Sequence, residues 1–457
     1  MKIRTKGGLL PLIAGFALLA SGCNLEVLNP GAILDEDLNT PDLMPIVVAG
    51  ASAELNDVGD GYAFTGGRLT DDLSGTGSYF STGQYRLGIF DFLDSRGFWE
   101  QTHEAAWAAG EAWFRLESVL GDAANTSKDS ARLFFLQGMA HRFMGENFCD
   151  VVYDKGPLQP REAAFDSAVI AFNRAISIGG LAGSGAADYV TGAQIGKAQA
   201  HVGQGDWAAA VSAAGNVPTP FVIETIYHTG ANSNQVYNET WGRAEVGVWA
   251  TPVQRIFNPT GKSVADGGLD DRGVFTICGQ WTDTNRPPDV SMGVTASGAC
   301  TGQGSGAHQG AGGLTAHYRQ DKHTERGSNI ALGKGTEARL IEAENFLRNG
   351  DLANFTVKVN EVRAFYNAAA ITQPSTAGSL EFENAEDDGW SILDRERYLT
   401  MWIEGRRLWD LHRWDHPFLN GGTLIGPGEP RRMSCMPIPE IECTLNEAIA
   451  NSSVCTG

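Results

Sequence analysis

The stretch ERYLTMWIEGRRLWDLHRW, residues 396–414, decides how the chain is read. Tyr398, Met401, Trp402, Leu408 and Trp409 fall at helical spacing, and Leu399, Ile403 and Leu411 draw a second apolar line beside them. A single helix here buries most of its circumference and belongs in a core. Arg406 and Arg407 stand four and three residues before Asp410, on neighbouring turns where guanidinium and carboxylate groups pair. With Glu404 they form a candidate structural ion network, because a helix this apolar carries charge inward only where the charges satisfy one another. A catalytic role is the alternative, since perturbed carboxylates occur in active sites as well as in ion networks.

Working outward, the segment GAQIGKAQAHVGQGDWAAAVSAAGNV reads as a helix, a tight turn at Gly205-Asp206 and a second helix with alanines at the crossing. The same shape returns over residues 336–367, with its turn at Gly350-Asp351. Two such units are the shape of tetratricopeptide repeats. Helical patterns over residues 99–116, 129–148, 161–178, 186–203 and 207–214 complete an all-α, tetratricopeptide-like scaffold, spanning residues 40–214 and 336–416. A helix through Val48, Ala51 and Leu55 opens it. Residues 60–98, rich in Gly, Ser, Thr and aromatics, read as a loop with exposed rings. Residues 215–335 form a large irregular, loop-rich insertion, with 16 glycines in the 77 residues from 259 to 335 against 57 in the whole chain. The end, 417–457, is irregular again, with Met436-Pro437-Ile438-Pro439 extended.

The N-terminus carries Lys2, Arg4 and Lys6, an apolar run over residues 9–20, and Ala20-Ser21-Gly22-Cys23. A basic start, a short apolar segment and small residues describe a secretory signal, residues 1–22, too short to span a membrane. Cys23 stands where a bacterial lipobox places its acylated cysteine, which makes it the expected lipidation site of a single domain over residues 23–457. An ordinary signal peptide with Cys23 as a free thiol is the alternative. Removing the leader leaves 31 basic against 54 acidic residues, a formal charge of −23, which argues against nucleic acid or anionic lipid headgroups as partners. Six further cysteines permit disulfides in an exported chain. Proximity suggests Cys278–Cys300 and Cys435–Cys443, leaving Cys149 with Cys455, one of 15 possible pairings.

Known catalytic patterns are missing from the sequence. There is no G-x-S-x-G, H-E-x-x-H or phosphate-binding glycine loop, and His103-Glu104 has no second histidine. Asp35, Asp37 and Asn39 imitate a calcium loop, but Thr40 and Ile46 stand where glycine and glutamate are needed, so no metal and no cofactor is expected. A glycoside hydrolase needs two carboxyls at a set separation; pairs such as Asp71-Asp72 occur, yet in so acidic a chain their spacing carries no information. Aromatic rings favour a binder of flat ligands such as sugars. Trp107, Trp113, Trp207, Trp402, Trp409 and Trp414 lie at helical spacing and read as core. Tyr79, Tyr85, Trp249 and Trp281 lie in loop-like segments and are the candidate ligand-binding residues.

Taken together, these motifs resemble the SusD-like (RagB/SusD) family of outer-membrane nutrient-uptake lipoproteins. The resemblance rests on Cys23-Asn24-Leu25-Glu26-Val27 with Asn29-Pro30, on GQGDWAAAVSAA, on EARLIEAENFLRNGDL with Val359-Asn360-Glu361-Val362-Arg363, and on Leu269-Asp270-Asp271-Arg272. It is strongest at Glu396-Arg397, Glu404-Gly405-Arg406-Arg407, Asp410-Leu411-His412-Arg413-Trp414 and the MPIP run. It implies a non-enzymatic protein, lipid-anchored at the outer membrane and facing outward, that binds a glycan or peptide and delivers it to a TonB-dependent SusC-like transporter. The glycine-rich middle matches no family pattern, so no ligand residue is carried over. A helical-repeat scaffold that binds only proteins is the alternative.

Overall fold

Helix placement follows the apolar spacing closely in the computed structural model, which describes residues 35–256 except 231, then 272–281, 294–296, 300, 308–380 except 314, 388–420 and 432–456. Residues 1–40 and 41–457 are separate units, and in the first Asp35–Leu38 makes a short 3-10 turn. The signal segment and Cys23 lie outside the described residues.

In the second unit, α1 (Met44–Gly61) buries Met44, Val48, Ala51, Leu55 and Val58, one face of a helix. It packs on α2 (Arg96–Leu120) and α3 (Lys128–Asn147), the latter opened by Ser127, whose hydroxyl accepts from the Asp129 N–H. Next come α4 (Glu162–Ala182), α5 (Ala187–Gln204) and α6 (Trp207–Ala214). Small residues let α3, α4 and α5 approach closely. The Phe172 ring of α4 lies between Gly138 and Gly196, where a Cβ would come within 2.6 and 2.3 Å of it; Phe165 lies likewise between Gly145 and Gly203, at 2.7 and 2.4 Å. These rings fill the helix crossings that the glycines open.

The second helix pair is α7 (Gly335–Arg348) and α8 (Leu352–Phe365), followed by α9 (Gly389–Thr400) and α10 (Arg407–Arg413). Here the structure corrects the single helix expected over residues 396–414. It breaks at residues 401–406, where Ile403 and Gly405 have φ of 55° and 71°. A Cβ at Gly405 would stand 3.1 Å from Tyr62, so both the left-handed backbone and the close approach require glycine there.

Between the helix pairs the described residues form two-stranded antiparallel ladders, which the loss of helical period did not reveal. Ser74–Gly75 pairs with Val246–Gly247, Val222–Glu224 with Ala331–Lys334, Phe275–Ile277 with Tyr318–Gln320, and Gly279–Trp281 with Val294–Ala296. Residues 60–98 are also more ordered than a loop: Tyr62–Gly66 continues α1 as a π-helical turn, and Phe80–Arg86 is helical. Tyr62, Phe64, Tyr85 and Phe90 are buried, against the expectation of exposed rings, while Tyr79, Phe80 and Phe92 are exposed. Conversely Trp107, expected in the core, is 64% exposed on the outer face of α2.

Two of the three expected disulfides are corrected as well. Cys278 does join Cys300, but Cys149 joins Cys435 and Cys443 joins Cys455. The extended MPIP segment draws Cys435 away from Cys443: Met436 forms a bridge with Phe148, and Cys149 N–H donates to the Met436 carbonyl.

Candidate ligand site

Breaking a helix at residues 401–406 frees backbone groups inside the core, and each needs a partner. Lys334 Nζ donates to the Thr400 carbonyl, Lys322 Nζ to the Trp402 carbonyl, and Asp72 Oδ2 accepts from Ile403 N–H at 3.3 Å. His323 Nε2 lies 3.4 Å from the Ile403 carbonyl. The segment is thus held by residues distant in sequence, which fixes Ile403 in a backbone region that a β-branched residue rarely occupies.

The four network residues named from the sequence are all buried and ion-paired, with partners other than those expected. Asp410 pairs with Arg397 at 2.9 Å and with Arg413 at 2.8 Å, not with Arg406 or Arg407. Arg406 instead reaches Glu146 and Glu337, both at 3.0 Å. Arg407 grips Asp71 through two bonds of 2.7 and 2.8 Å and also pairs with Asp394. Glu404 Oε1 accepts from both Lys322 at 2.7 Å and Lys334 at 2.8 Å. The break at 401–406 turns α10 away from the direction of α9, so the three- and four-residue spacing no longer selects the pairs.

Electrostatics follow from these contacts. Burial would raise Asp410, but Arg397 and Arg413 outweigh it and hold the carboxyl down to about 2. Burial is likewise outweighed at Glu404, by Lys322 and Lys334, and at Glu396, by Arg272 and Arg363; both are held low. Asp72 behaves oppositely: burial, then the neighbouring Asp71, push it up to about 8. Burial followed by the Lys322 charge drives His323 down to about 3, leaving it neutral.

Above this network opens a pocket of about 590 Å³, with Arg272, Lys322, Lys334, Thr400 and Glu404 at its floor and Glu224, Asp321, Ser328, Asn329 and Tyr366 around it. Its volume is ordinary for a small-ligand site and its lining is more polar than most. Of the candidate ligand aromatics, Tyr79, Tyr85 and Trp249 are not among the described residues that line it. Tyr79 is exposed and its hydroxyl accepts from Arg243 Nη1 at 2.8 Å. Tyr85 is buried, donates to Asp94 and is covered by the Arg68 guanidinium. Trp249 is buried too, and the Trp281 side chain lies outside the described residues. Tyr79 follows the strand Ser74–Gly75 and Trp249 follows Val246–Gly247, beyond opposite ends of that antiparallel ladder. Sequence reasoning missed Lys322, Lys334 and Arg272. Arg272 had a signal as the end of the Leu269-Asp270-Asp271-Arg272 motif, whereas Lys322 and Lys334 stood out only as cations in an acidic chain, next to short strands with no readable period.

Residues 294–444 match the model of the SusD family. No curated protein matches the chain in sequence. Among solved structures, a SusD-like protein from Bacteroides fragilis is similar with a TM-score of 0.64 at 14% identity, covering 91% of this chain and 97% of that one. A SusD superfamily protein from Bacteroides vulgatus gives 0.60 at 14% identity over 89% and 97% of the two chains. A chitin-binding SusD homolog from Flavobacterium johnsoniae gives 0.59 at 12% over 89% and 95%. The helical fold shared with these structures and the match over residues 294–444 agree with the motifs of the two helix pairs and the 396–414 stretch: the chain has the helical fold of SusD-like proteins and carries the SusD family match over residues 294–444.

Proposed function

We propose that this chain is a surface lipoprotein, acylated at Cys23, that binds a nutrient glycan and delivers it to a partner TonB-dependent transporter in the outer membrane. The observation that carries the reading is the SusD-like fold over nearly the whole chain, joined to the family match at its C-terminal third. Two of the similar solved structures are described as carbohydrate-binding and chitin-binding proteins, which supports the expectation of a binding protein and not an enzyme. Glycan rather than peptide is favoured by the solved relative described as chitin-binding. Among the described residues no helix is long and apolar enough to cross a membrane, which is compatible with a lipid anchor.

Among the described candidates Tyr79 offers an exposed ring, and its hydroxyl accepts from Arg243, an arrangement suited to stacking on a sugar face. Trp249 is mostly covered and serves a ligand only by its edge. Calorimetric titration of the lipid-free chain against a panel of oligosaccharides and peptides tests the reading. Binding of at least one glycan, weakened by Tyr79→Ala, is the expected result, and failure of every glycan to bind overturns it. Co-purification from outer membranes with a barrel transporter encoded beside the gene tests delivery.

The alternative, a helical scaffold that binds only proteins, is favoured by one observation. Trp107 and Phe114, two turns apart on α2, are 64% and 59% exposed. Co-purification of a transporter with no glycan binding is the outcome that selects it.

A further inference from the structure

Among the described residues lining the pocket over Glu404, three cations stand beside three carboxylates, in a chain whose formal charge is −20. The pocket floor is built from cations: Lys322 follows the strand Tyr318–Gln320, Lys334 ends the strand Ala331–Lys334, and Arg272 precedes Phe275–Ile277. The two ammonium groups share one carboxylate oxygen, Glu404 Oε1, at 2.7 and 2.8 Å. Their nitrogens therefore lie within 5.5 Å of each other. Arg272 shares Glu396 with Arg363. The two ammonium groups thus share the single carboxylate of Glu404, while burial and the neighbouring Asp71 push the next acid beside Lys322, Asp72, up to about 8. On the walls, Asp321 is paired with Arg319 at 2.9 Å, and Glu224 stands at the exposed rim.

Donor supply points the same way. An ammonium has three N–H donors. Lys322 uses one on the Trp402 carbonyl and one on Glu404, and Lys334 uses one on the Thr400 carbonyl and one on Glu404. One N–H remains on each, side by side at the floor of a 590 Å³ space. Two single donors a few ångströms apart match the two oxygens of one carboxylate, and charge-assisted bonds of this kind are the stronger ones. Above them Ser328 and Asn329 offer polar groups for hydroxyls, and the half-buried Tyr366 ring offers an apolar face.

We propose that this pocket receives the carboxylate of an acidic sugar, a hexuronate residue of the bound glycan, on Lys322 and Lys334. The inference rests on the glycan-binding reading and names the substrate class.

The test compares tetragalacturonate with its fully methyl-esterified form by calorimetry on the lipid-free chain. The wild-type protein binds the acid at least about tenfold more tightly than the ester, as expected where a charge-assisted contact is lost. Lys322→Met removes that preference while the thermal unfolding transition is retained. Should Lys322→Met fail to fold, the acid-to-ester comparison on the wild-type chain, repeated at low and high salt, decides alone; the preference shrinks as salt rises. Equal binding of acid and ester, or binding of neutral glycans without tetragalacturonate, overturns the proposal and leaves the glycan reading standing. If no oligosaccharide binds, acidic or neutral, both fall.

Discussion

The two helix–turn–helix units share a turn and differ in what they bury. In α5–α6, Gly205 has φ of 72° and the Asp206 carboxylate accepts from Ala209 N–H at 3.0 Å; in α7–α8, Gly350 has φ of 73° and Asp351 accepts from Asn354 N–H at 3.0 Å. Beyond the turn the units diverge. The first packs through Ala198, Ala210, Ala213 and Ala214 and through glycines against phenylalanine rings. The second buries Glu337, Glu342 and Glu344 beside its apolar residues. Glu344 alone receives two bonds from Arg413, one from Trp414 Nε1 and one pairing with Arg348. One local motif thus serves as an apolar spacer in one place and as an acceptor for the C-terminal arginines in another. A turn specifies how two helices meet, and the neighbours specify what their faces do.

The largest expected effect falls on the second unit alone. Glu344→Ala leaves Arg413 buried with one acceptor fewer, and removing one member of a buried pair costs roughly 3–5 kcal/mol. Denaturant titration measures it; a loss below about 1 kcal/mol, the size of an exposed pair, would show the brace to be water-screened. In the first unit, Gly196→Ala drives a methyl group into Phe172, and overpacking of this kind costs about 1–3 kcal/mol. Restoration by Phe172→Leu in the double variant would sharpen the assignment.

Smaller and equal effects are expected where the units coincide. No neighbouring atom lies within 4 Å of a Cβ at either Gly205 or Gly350, so Gly205→Ala and Gly350→Ala cost only the left-handed backbone, about 1 kcal/mol each. Unequal losses would break the equivalence of the turns.

Acid separates the units without mutation. The carboxyls of Glu344, Glu396, Glu404 and Asp410 are held below their ordinary values, so their stabilisation is complete above about pH 4 and is lost as pH falls through the depressed values, about 2 for Asp410. Hydrogen exchange corrected for intrinsic rates should lose protection in α7–α8 and α9–α10 before α5–α6. Asp72 has the opposite sign. Its folded value near 8 lies above the unfolded one, so stability falls as pH rises between them, and Asp72→Asn should flatten that slope.

Much of the scaffold was legible because helices repeat their apolar residues every three to four positions and the turns carry Gly-Asp. The expected helix over residues 207–214 is α6 itself, and the one over 186–203 is α5 to within a residue. Exposure was less legible. Trp107 has helical spacing but faces out, since spacing places a residue on a face without saying which face is covered. Tyr85 sits in a polar segment but is buried under Arg68, because a folded-back segment supplies its own cover.

By itself the sequence determined the helices, the two turns, the likeness to a known family and the presence of buried charge in residues 396–414. Only the tertiary structure decided that this stretch breaks at residues 401–406, that Arg407 answers Asp71 more than 330 residues away, that Cys149 meets Cys435, and that Lys322 and Lys334 converge on Glu404. The physical reason is range. Backbone periodicity and turn chemistry act within a few residues, so one window of sequence records them. A buried charge is satisfied by whichever opposite charge the fold brings within a few ångströms, and the chain between the two carries no trace of that choice.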